Sequence, residues 1–570
     1  MKRKPPSPMR RSLSVILLLV LLMAASGFIT ERQTAGTSIA QTSGSYIVQA
    51  DQMALASRLV EQAGGTITHR LAIIDSVAAQ LDAIAHQRLQ NHPDVVIYAD
   101  QTVAATQDDD DHDDDDRDDD NNDPNDNEYH LHPSVVTQAY KIHDQKVESH
   151  ISRCTSGGFA QHEQKRERKL RGAGVTVGVI DTGLIPLEGW RWIPLNHDPG
   201  TLIASNGDRC IVYHDVVSAD TSGALAQNKV NSQDPYGHGT HVVGTIANSR
   251  RDELTDDSDY GSLGIAPDAN LVVARALGDD GSGSYADVIA AIQWMVDNQE
   301  TYGIRVLNLS LYAPVIGPYW DDPLAQAVMR AWQAGIVVVS AAGNSGPEAG
   351  TVTVPGNVPY VITVGAMTSA AYTSSGLDEL ASYSSRGPTE SAFVKPDVVV
   401  PASRTIAPMP INSFLATEAA DSRVDMPRSL NFGFISPQSE YALYELSGTS
   451  MAAAEVSGVI ALMLQVNPNL TNNQIKYRLM TTARLAVDSD TDEPRYTAWE
   501  QGAGLIDTEE AIFTDSTEEA NAGMDIALDL DPTSGEHYWG NTEWDELTGN
   551  FVLRDPAGAV QQVVDSGRRA

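Results

Sequence analysis

Short apolar segments rich in β-branched residues alternate with helical segments between residues 175 and 482, and this alternation restricts the fold most strongly. Strands are predicted at Val175–Ile180, Leu271–Ala274, Val306–Leu309, Ile336–Ser340 and Val361–Val364. Helices are predicted at His238–Asn248, Ser284–Gln299, Pro323–Ala334, Ser450–Val466 and Asn472–Thr482. Wholly apolar strands separated by helices are typical of a parallel sheet covered on both faces. The predicted fold class is therefore α/β, with a doubly wound, mostly parallel sheet.

A smaller unit is predicted at residues 45–105. Its predicted strands are Tyr46–Val48, Thr66–Thr68 and Asp94–Tyr98, and its predicted helices lie around Met53–Ala63 and Ser76–Leu89. Gly64-Gly65 ends the first helix. This alternation predicts a small ferredoxin-like α+β sandwich.

A run of acidic residues follows at residues 106–130. Asp108–Asp111, Asp113–Asp116 and Asp118–Asp120 form a nearly continuous block of carboxylates. Such a block repels itself, so it predicts an extended, solvated and disordered linker. The whole chain of 570 residues carries a formal charge of −38, which argues against a nucleic-acid partner because phosphate binding needs clustered Lys and Arg.

Residues 1–30 have the composition of a signal peptide. Basic residues precede the apolar stretch Leu13–Ala25, and small residues follow it. The apolar stretch is too short for a clear membrane span. The expected location is therefore extracellular, with a membrane-anchored protein that keeps this segment as the alternative.

The pairing of the two cysteines, Cys154 and Cys210, and the structure of the end of the chain each leave alternatives open. Export would allow the two thiols to pair, and two buried free thiols are the other possibility. The main body is expected to span residues 131–515. Residues 516–570 change in composition and predict a small C-terminal extension, either β-rich or poorly ordered.

Two segments near the start of the main body carry candidate acid–base groups. Asp181 follows a buried strand, where ligand sites of parallel sheets collect, although a polar residue there is more often a turn residue. His238 lies between two glycines before an apolar helix, which gives a general base access to substrate. His238 and His241 could together bind zinc, but the Glu of an H-E-x-x-H motif is missing. We therefore expect His241 to be a packed structural residue.

Two further segments supply a candidate nucleophile and a candidate hydrogen-bond donor. Ser450 stands at the start of a long apolar helix among small residues, where free N–H groups favour negative charge. The simpler interpretation makes Ser450 a helix cap. Asn344, in Ala342-Gly343-Asn344, can donate its amide to a developing oxyanion, or can be an ordinary turn residue.

Together, Val179-Ile180-Asp181-Thr182-Gly183, Gly237-His238-Gly239-Thr240-His241, Ala342-Gly343-Asn344 and Gly448-Thr449-Ser450-Met451-Ala452 resemble the motifs of the subtilisin-like serine peptidases. The order Asp, His, Ser is also that of subtilisin. The resemblance covers roughly residues 45–515. It implies an Asp181–His238–Ser450 triad, Asn344 in the oxyanion hole, protein or peptide substrates, and hydrolysis through an acyl-enzyme.

The resemblance also implies roles for other segments. Gly281, Ser282 and Gly283 would pair with the substrate backbone. The pocket for the substrate residue before the scissile bond would be lined by Ser310, Leu311, Ala341, Ala342 and Gly343. Residues 45–105 would be an inhibitory propeptide, cut near Val103–Gln107 or beyond the acidic run. No cofactor or catalytic metal is expected, calcium is a possible structural ion, and the chain is expected to be a monomer.

The sequence departs from the family pattern at three places. Ala454 and Glu455 replace the usual Pro and His, and we expect the helix to continue because Ala is a strong helix former. Tyr312 replaces a common Gly, which leaves the pocket size open. Asp488, Asp490 and Asp492 begin like a calcium loop, but Glu493 and Trp499 do not fit it. The alternatives are an inactive surface-binding module on the same fold and a metallohydrolase that uses His238 and His241.

Overall fold

The structure is a computed structural model and describes residues 2–3, 43–105, 133, 137–155, 158–185, 193–194, 201–205, 209–217, 234–249, 264–424, 441–488, 490–545, 548, 550–555 and 559–564. All of the predicted acidic linker and most of the predicted signal segment lie outside these residues. Lys2–Arg3 forms a short strand that pairs with His537–Tyr538.

The N-terminal unit contains a four-stranded antiparallel sheet and two helices. Its elements are β1 (Gly44–Gln49), α1 (Met53–Ala63), β2 (Thr66–Leu71), β3 (Ser76–Leu81), α2 (Ala83–Gln90), β4 (Val96–Ala99) and β5 (Thr102–Ala105). The strand order of the sheet is β2-β3-β1-β4. It docks on the main body through Tyr98, whose hydroxyl donates to Asp321 at 2.8 Å, and Gln49, whose amide donates to Gln326 at 2.8 Å.

The helix predicted around Ser76–Leu89 is wrong in its first half. Ser76–Leu81 is β3, a strand paired with β1 on one side and β2 on the other. The alanines at its centre are strong helix formers, and pairing on both edges outweighs that local preference. The helix begins after Asp82, whose carboxylate accepts the N–H groups of Ile84 and Ala85.

The main body follows in two runs of elements. The first run is β6 (Lys146–Thr155), β7 (Gly158–Lys169), β8 (Thr176–Asp181), β9 (Ile193–Pro194), β10 (Thr201–Ser205), β11 (Cys210–Asp215), α3 (His238–Ala247), β12 (Asn270–Arg275), β13 (Ser282–Ser284), α4 (Tyr285–Asp297), α5 (Gln299–Tyr302), β14 (Ile304–Leu309) and β15 (Leu311–Tyr312). The second run is α6 (Pro323–Gln333), β16 (Val337–Ala341), β17 (Ile362–Thr368), β18 (Glu379–Leu380), β19 (Val398–Pro401), β20 (Thr405–Pro410), α7 (Phe414–Glu418), β21 (Tyr441–Leu446), α8 (Thr449–Val466), α9 (Asn472–Thr482), α10 (Ala498–Gln501), α11 (Thr508–Phe513), α12 (Ile526–Asp529), β22 (His537–Tyr538), β23 (Thr542–Asp545), β24 (Asn550–Arg554) and β25 (Val560–Val564).

Within the described residues, ten strands form the central sheet, in the order β9-β10-β11-β12-β8-β14-β16-β17-β18, with β19 also beside β17. The pairs from β11 to β17 are parallel, and so is β17 with β19. The mostly parallel sheet predicted from the sequence is thus confirmed. The chain leaves β8 toward β12 on one side and returns to β14 on the other, so the carboxyl end of β8 is a topological switch point.

Helices pack on this sheet in two pairs, α3 with α8 and α4 with α6. The α8 helix continues through Ala454 and Glu455 as expected. In the part of the chain that the structure describes, α8 is long and apolar enough to span a bilayer. However, 94% of that span is buried inside the protein. It is therefore placed as a core helix.

The cysteines and the C-terminal extension add fixed points. Cys210 is disulfide-bonded, and no free cysteine occurs among the described residues, so the alternative of two free thiols is wrong. Asp529 in the extension is 2% exposed and accepts the hydroxyls of Tyr319 and Tyr360, each at 2.7 Å. Beyond it, β23, β24 and β25 form a three-stranded antiparallel sheet.

Glu455 is an acid buried in the middle of α8. Its side chain is fully buried, its Oε1 atom accepts a long hydrogen bond of 3.4 Å from Thr405, and Oε2 has no partner among the described residues. Burial raises the pKa of Glu455 well above its usual value. In the unfolded chain the carboxyl ionises near its ordinary pKa, so folding becomes less favourable as pH rises between the two values.

We therefore expect Glu455→Gln to stabilise the protein in a pH-dependent way. The free energy of unfolding should match the parent near pH 4 and exceed it increasingly toward pH 8, by up to about 1.4 kcal/mol per pH unit. Urea unfolding at several pH values measures this difference. A stability difference between Glu455→Gln and the parent that stays constant from pH 4 to pH 8 would contradict the assignment.

Candidate active site

Asp181 and His238 are joined by a buried hydrogen bond. His238 Nδ1 lies 2.8 Å from Asp181 Oδ1, and both side chains are 0% exposed. The carboxylate can only accept, so Nδ1 carries the proton and Nε2 is the acceptor nitrogen of the neutral ring. Asp181 Oδ1 also accepts the backbone N–H of Thr182 at 2.7 Å. The structure thus brings together two side chains that are far apart in the sequence.

The glycine after His238 allows this approach. A Cβ atom at Gly239 would lie 2.3 Å from the carbonyl oxygen of Gly183, closer than any side chain can come. The first turn of α3 therefore rests directly on the chain that leaves β8. Only glycine fits at this contact.

Asp234 is a functional residue that the sequence analysis missed. Its carboxylate is fully buried and accepts four hydrogen bonds: Oδ1 from the Thr182 hydroxyl and the Gly237 N–H, at 2.7 and 2.8 Å, and Oδ2 from the N–H and hydroxyl of Thr240, at 2.7 and 2.6 Å. The Thr182 hydroxyl in turn accepts the Gly239 N–H at 2.8 Å. Asp234 therefore ties the loop after Asp181 to the start of α3. A single acid just before a predicted helix was the available signal.

Ser450 lies in the first turn of α8, and the helix packs against α3. Its side chain is fully buried. The hydroxyl lies 3.4 Å from the Ser310 carbonyl oxygen, and the Ser310 hydroxyl donates to the Ser450 carbonyl at 2.8 Å. The positive end of the α8 helix dipole therefore lies at this serine.

Asn344 is fixed beside the same helix start. Its Oδ1 accepts the N–H and the hydroxyl of Thr449 at 3.0 and 2.8 Å. Its Nδ2 is buried and has no hydrogen-bond partner among the described residues. A buried amide donor left unpaired costs free energy unless something accepts from it. The geometry therefore holds a donor ready next to Ser450.

The residues expected to contact substrate form the two banks of a cleft. The short strand β5 of the N-terminal unit fills this cleft, paired antiparallel with β13 on one side and β15 on the other. The Ala105 N–H donates to the Gly281 carbonyl at 3.0 Å. Ser282 and Gly283 lie opposite Ala104 and Val103, and Leu311 lies opposite Ala105.

The remaining predicted pocket residues lie at the end of β16 and directly after it. Ala341 ends that strand, Ala342 is fully buried, and Gly343 donates its N–H to the Thr449 hydroxyl at 3.1 Å. Gly343 has a φ of +108°, which favours glycine. This segment carries Asn344 from the end of β16 to the start of α8.

His241 is fully buried in the protein interior. Its Nε2 lies 3.1 Å from the Tyr444 carbonyl oxygen, and burial lowers the pKa of His241 to about 3. The ring is thus neutral and donates to the carbonyl. Among the residues that the structure describes, no group of three or more His, Cys, Asp or Glu side chains could hold a metal ion.

We expect Asp234→Asn to destabilise the protein strongly. In either orientation the amide would turn its NH₂ group toward one backbone N–H and one Thr hydroxyl, so the bond from that N–H would be lost and the hydroxyl would have to turn to accept. The expected loss is about 2–4 kcal/mol, measured by urea unfolding. Asp507→Asn at the partly exposed N-cap of α11 is the control, since Asn caps a helix as well as Asp does. Equal effects of the two substitutions would contradict the role given to Asp234.

Comparison with known proteins identifies the family of this chain. The sequence profile of the Subtilase family (Peptidase S8) matches residues 172–511, more than half of the chain. The chain is similar to the serine protease AprX of Bacillus subtilis, with 33% identity over 377 residues, which are 65% of this chain and 73% of that protein. It is also similar to subtilisin DY of Bacillus licheniformis, with 30% identity over 343 residues, 60% of this chain and 92% of that protein.

A solved structure has a related fold. The crystal structure of fervidolysin from Fervidobacterium pennivorans, titled as a keratinolytic enzyme related to subtilisin, matches with a TM-score of 0.52 and 20% identity over 83% of this chain and 61% of that chain. At this identity the match supports the subtilisin-like fold alone. With the profile and the curated relatives, it leads to one conclusion: the chain belongs to the subtilase family of serine peptidases.

Proposed function

We propose that this protein is a secreted endopeptidase that cuts peptide bonds with Asp181, His238 and Ser450 through an acyl-enzyme. The observation that carries the proposal is the buried 2.8 Å hydrogen bond between Asp181 and His238. This bond fixes the ring and its tautomer, so Nε2 is the nitrogen that can take a proton. Ser450 at the start of α8 is the nucleophile that this base would serve.

The reaction follows from these placements. His238 Nε2 takes the proton of the Ser450 hydroxyl as the oxygen attacks the substrate carbonyl carbon, and Asp181 stabilises the imidazolium. His238 then gives that proton to the leaving amine. Water enters, gives its proton to His238 and releases the acyl group, which restores the Ser450 hydroxyl.

The oxyanion of the tetrahedral intermediate would be held by two donors. Asn344 supplies the unpaired Nδ2 group described above, and the Ser450 N–H lies in the first turn of α8, where the helix has free N–H groups. Both donors are fixed before substrate arrives, so they need no reorganisation when charge develops. An inactive binding module would not need such an arrangement, and no described feature favours that alternative.

The N-terminal unit would act as the enzyme's own inhibitor. Its strand β5 occupies the cleft in the way that an extended substrate would, with backbone pairing on both edges. The described strand ends at Ala105, and the acidic run begins at Asp108. We place the processing cut between these two residues. Export through residues 1–30 belongs to the proposal and fits the disulfide at Cys210.

We expect the full precursor to cut itself. The wild-type chain should lose its N-terminal unit and react with a serine-directed fluorophosphonate, whereas Ser450→Ala should remain intact and unlabelled. Gel analysis follows the processing, and mass spectrometry should locate the new N-terminus between residues 106 and 108. Processing or labelling of Ser450→Ala at the wild-type rate would contradict the assignment of the nucleophile.

We expect Asn344→Ala to lower kcat with little change in KM, because the donor acts on charge that develops only in the transition state. The expected loss is about 10²–10³-fold, a figure known from removal of such a donor in a subtilisin, a relative of this chain. Steady-state hydrolysis of a peptide substrate measures it. A loss confined to KM would show that Asn344 acts only in substrate binding.

A further inference from the structure

Two aromatic side chains stack beside the cleft, one next to His238 and one from the segment between β20 and β21. The rings of Tyr236 and Phe414 lie 5.5 Å apart and within 9° of parallel. Phe414 is the first residue of α7 and is 52% exposed. An exposed Phe alone is common on protein surfaces and needs no function. The position of Phe414 beside the cleft is the reason to expect a function for it.

The backbone holds this stack rigidly against the loop that carries His238. The Phe414 N–H donates to the Pro235 carbonyl at 2.9 Å, and the Leu415 N–H donates to the Tyr236 carbonyl at 3.0 Å. A Cβ atom at Gly237 would lie 2.5 Å from Ser413 Oγ, so the two segments are in close contact. Phe414 is thus fixed relative to the candidate active site.

Gly281 connects the stack to the cleft. A Cβ atom at Gly281 would lie 2.4 Å from Cζ of Tyr236, so the ring covers the alpha carbon of this glycine. The carbonyl of the same glycine accepts the N–H of Ala105, the last described residue of β5. Ala105 is 7% exposed, so its side chain is largely enclosed. The Tyr236 ring therefore lies against the glycine that pairs with Ala105, and Phe414 stacks on that ring.

We propose that Tyr236 and Phe414 form one wall of the pocket for the substrate residue that takes the place of Ala105, and that this wall selects apolar side chains there. The inference rests on the proposed function, because it assumes that substrates bind in the cleft as β5 does. The ring faces of Tyr and Phe gain contact area with an apolar side chain, and their negative potential disfavours a carboxylate that lies against them. The alanine that the chain itself places there agrees with this selection.

Peptides copied from residues 101–108 test the proposal. The position of Ala105 is varied to Gly, Leu, Asp or Lys, and the cut is located by mass spectrometry to verify that the register stays the same. The self-processed wild type should cleave the Leu peptide with about tenfold higher kcat/KM than the Gly peptide, as expected for an apolar pocket. The Asp peptide should be the poorest substrate.

Two variants of Phe414 and one control locate the preference. Phe414→Ala should reduce the Leu-to-Gly ratio of kcat/KM by at least about threefold. Phe414→Lys should raise the Asp-to-Leu ratio by attraction of opposite charges. Phe513→Ala removes a Phe of 40% exposure on α11, outside the cleft, and should keep the wild-type ratios.

The outcomes separate this inference from the proposed function. Wild-type ratios in Phe414→Ala, or equal cleavage of the Leu and Gly peptides by the wild type, would overturn the inference while the peptidase assignment stands. Failure of the wild type to cleave any peptide, or equal cleavage by Ser450→Ala, would overturn the proposed function and this inference with it.

Discussion

Two buried carboxylates, Asp181 and Asp234, are the constraint on which the candidate site depends. Removing a carboxylate from water costs several kcal/mol unless donors replace the lost hydration. Asp181 receives the Thr182 N–H and the His238 ring, and Asp234 receives four donors from three residues. Those donors lie on both sides of the gap between β8 and α3. The donors to Asp234 and to Oδ1 of Asp181 therefore also fix the distance between acid and base, while Oδ2 of Asp181 has no hydrogen-bond partner among the described residues.

The sheet topology explains why this constraint can be met. Asp181 ends β8 at the switch point of the sheet, where the neighbouring connections diverge and leave space above the strand. Helices α3 and α8 pack on each other and place His238 and Ser450 at their first turns. Asn344 bridges from β16 to the same helix start. The hydrogen bonds are local, but the sheet determines which residues can make them.

Much of the main body and its site segments could be predicted because their signals are local. Each central strand is rich in β-branched residues, and glycines mark the close contacts at Gly239 and Gly343. Asp234 could not be identified in this way, because its partner Thr182 lies 52 residues away and a lone acid before a helix is common. The strand Ser76–Leu81 was missed because its alanines favour helix, while its pairing partners are set by tertiary structure. Phe414 has a role only through the ring that it stacks on, which no local pattern reveals.

The filled cleft also shows where selectivity has to arise. Strand β5 is held by backbone groups of β13 and β15, and any extended chain can offer the same groups. Backbone pairing therefore gives affinity for any substrate sequence. Discrimination between substrate sequences must come from side chains along the two sides of the cleft. Gly281 and Gly283 have no side chain to offer. On one side of the cleft, the ring of Tyr236 covers Gly281 and supplies a side chain. On the other side, Tyr312 on β15 supplies a side chain where the family commonly has Gly. The substrate preference of this chain can therefore be encoded in these aromatic residues, which replace or surround residues of the common motifs.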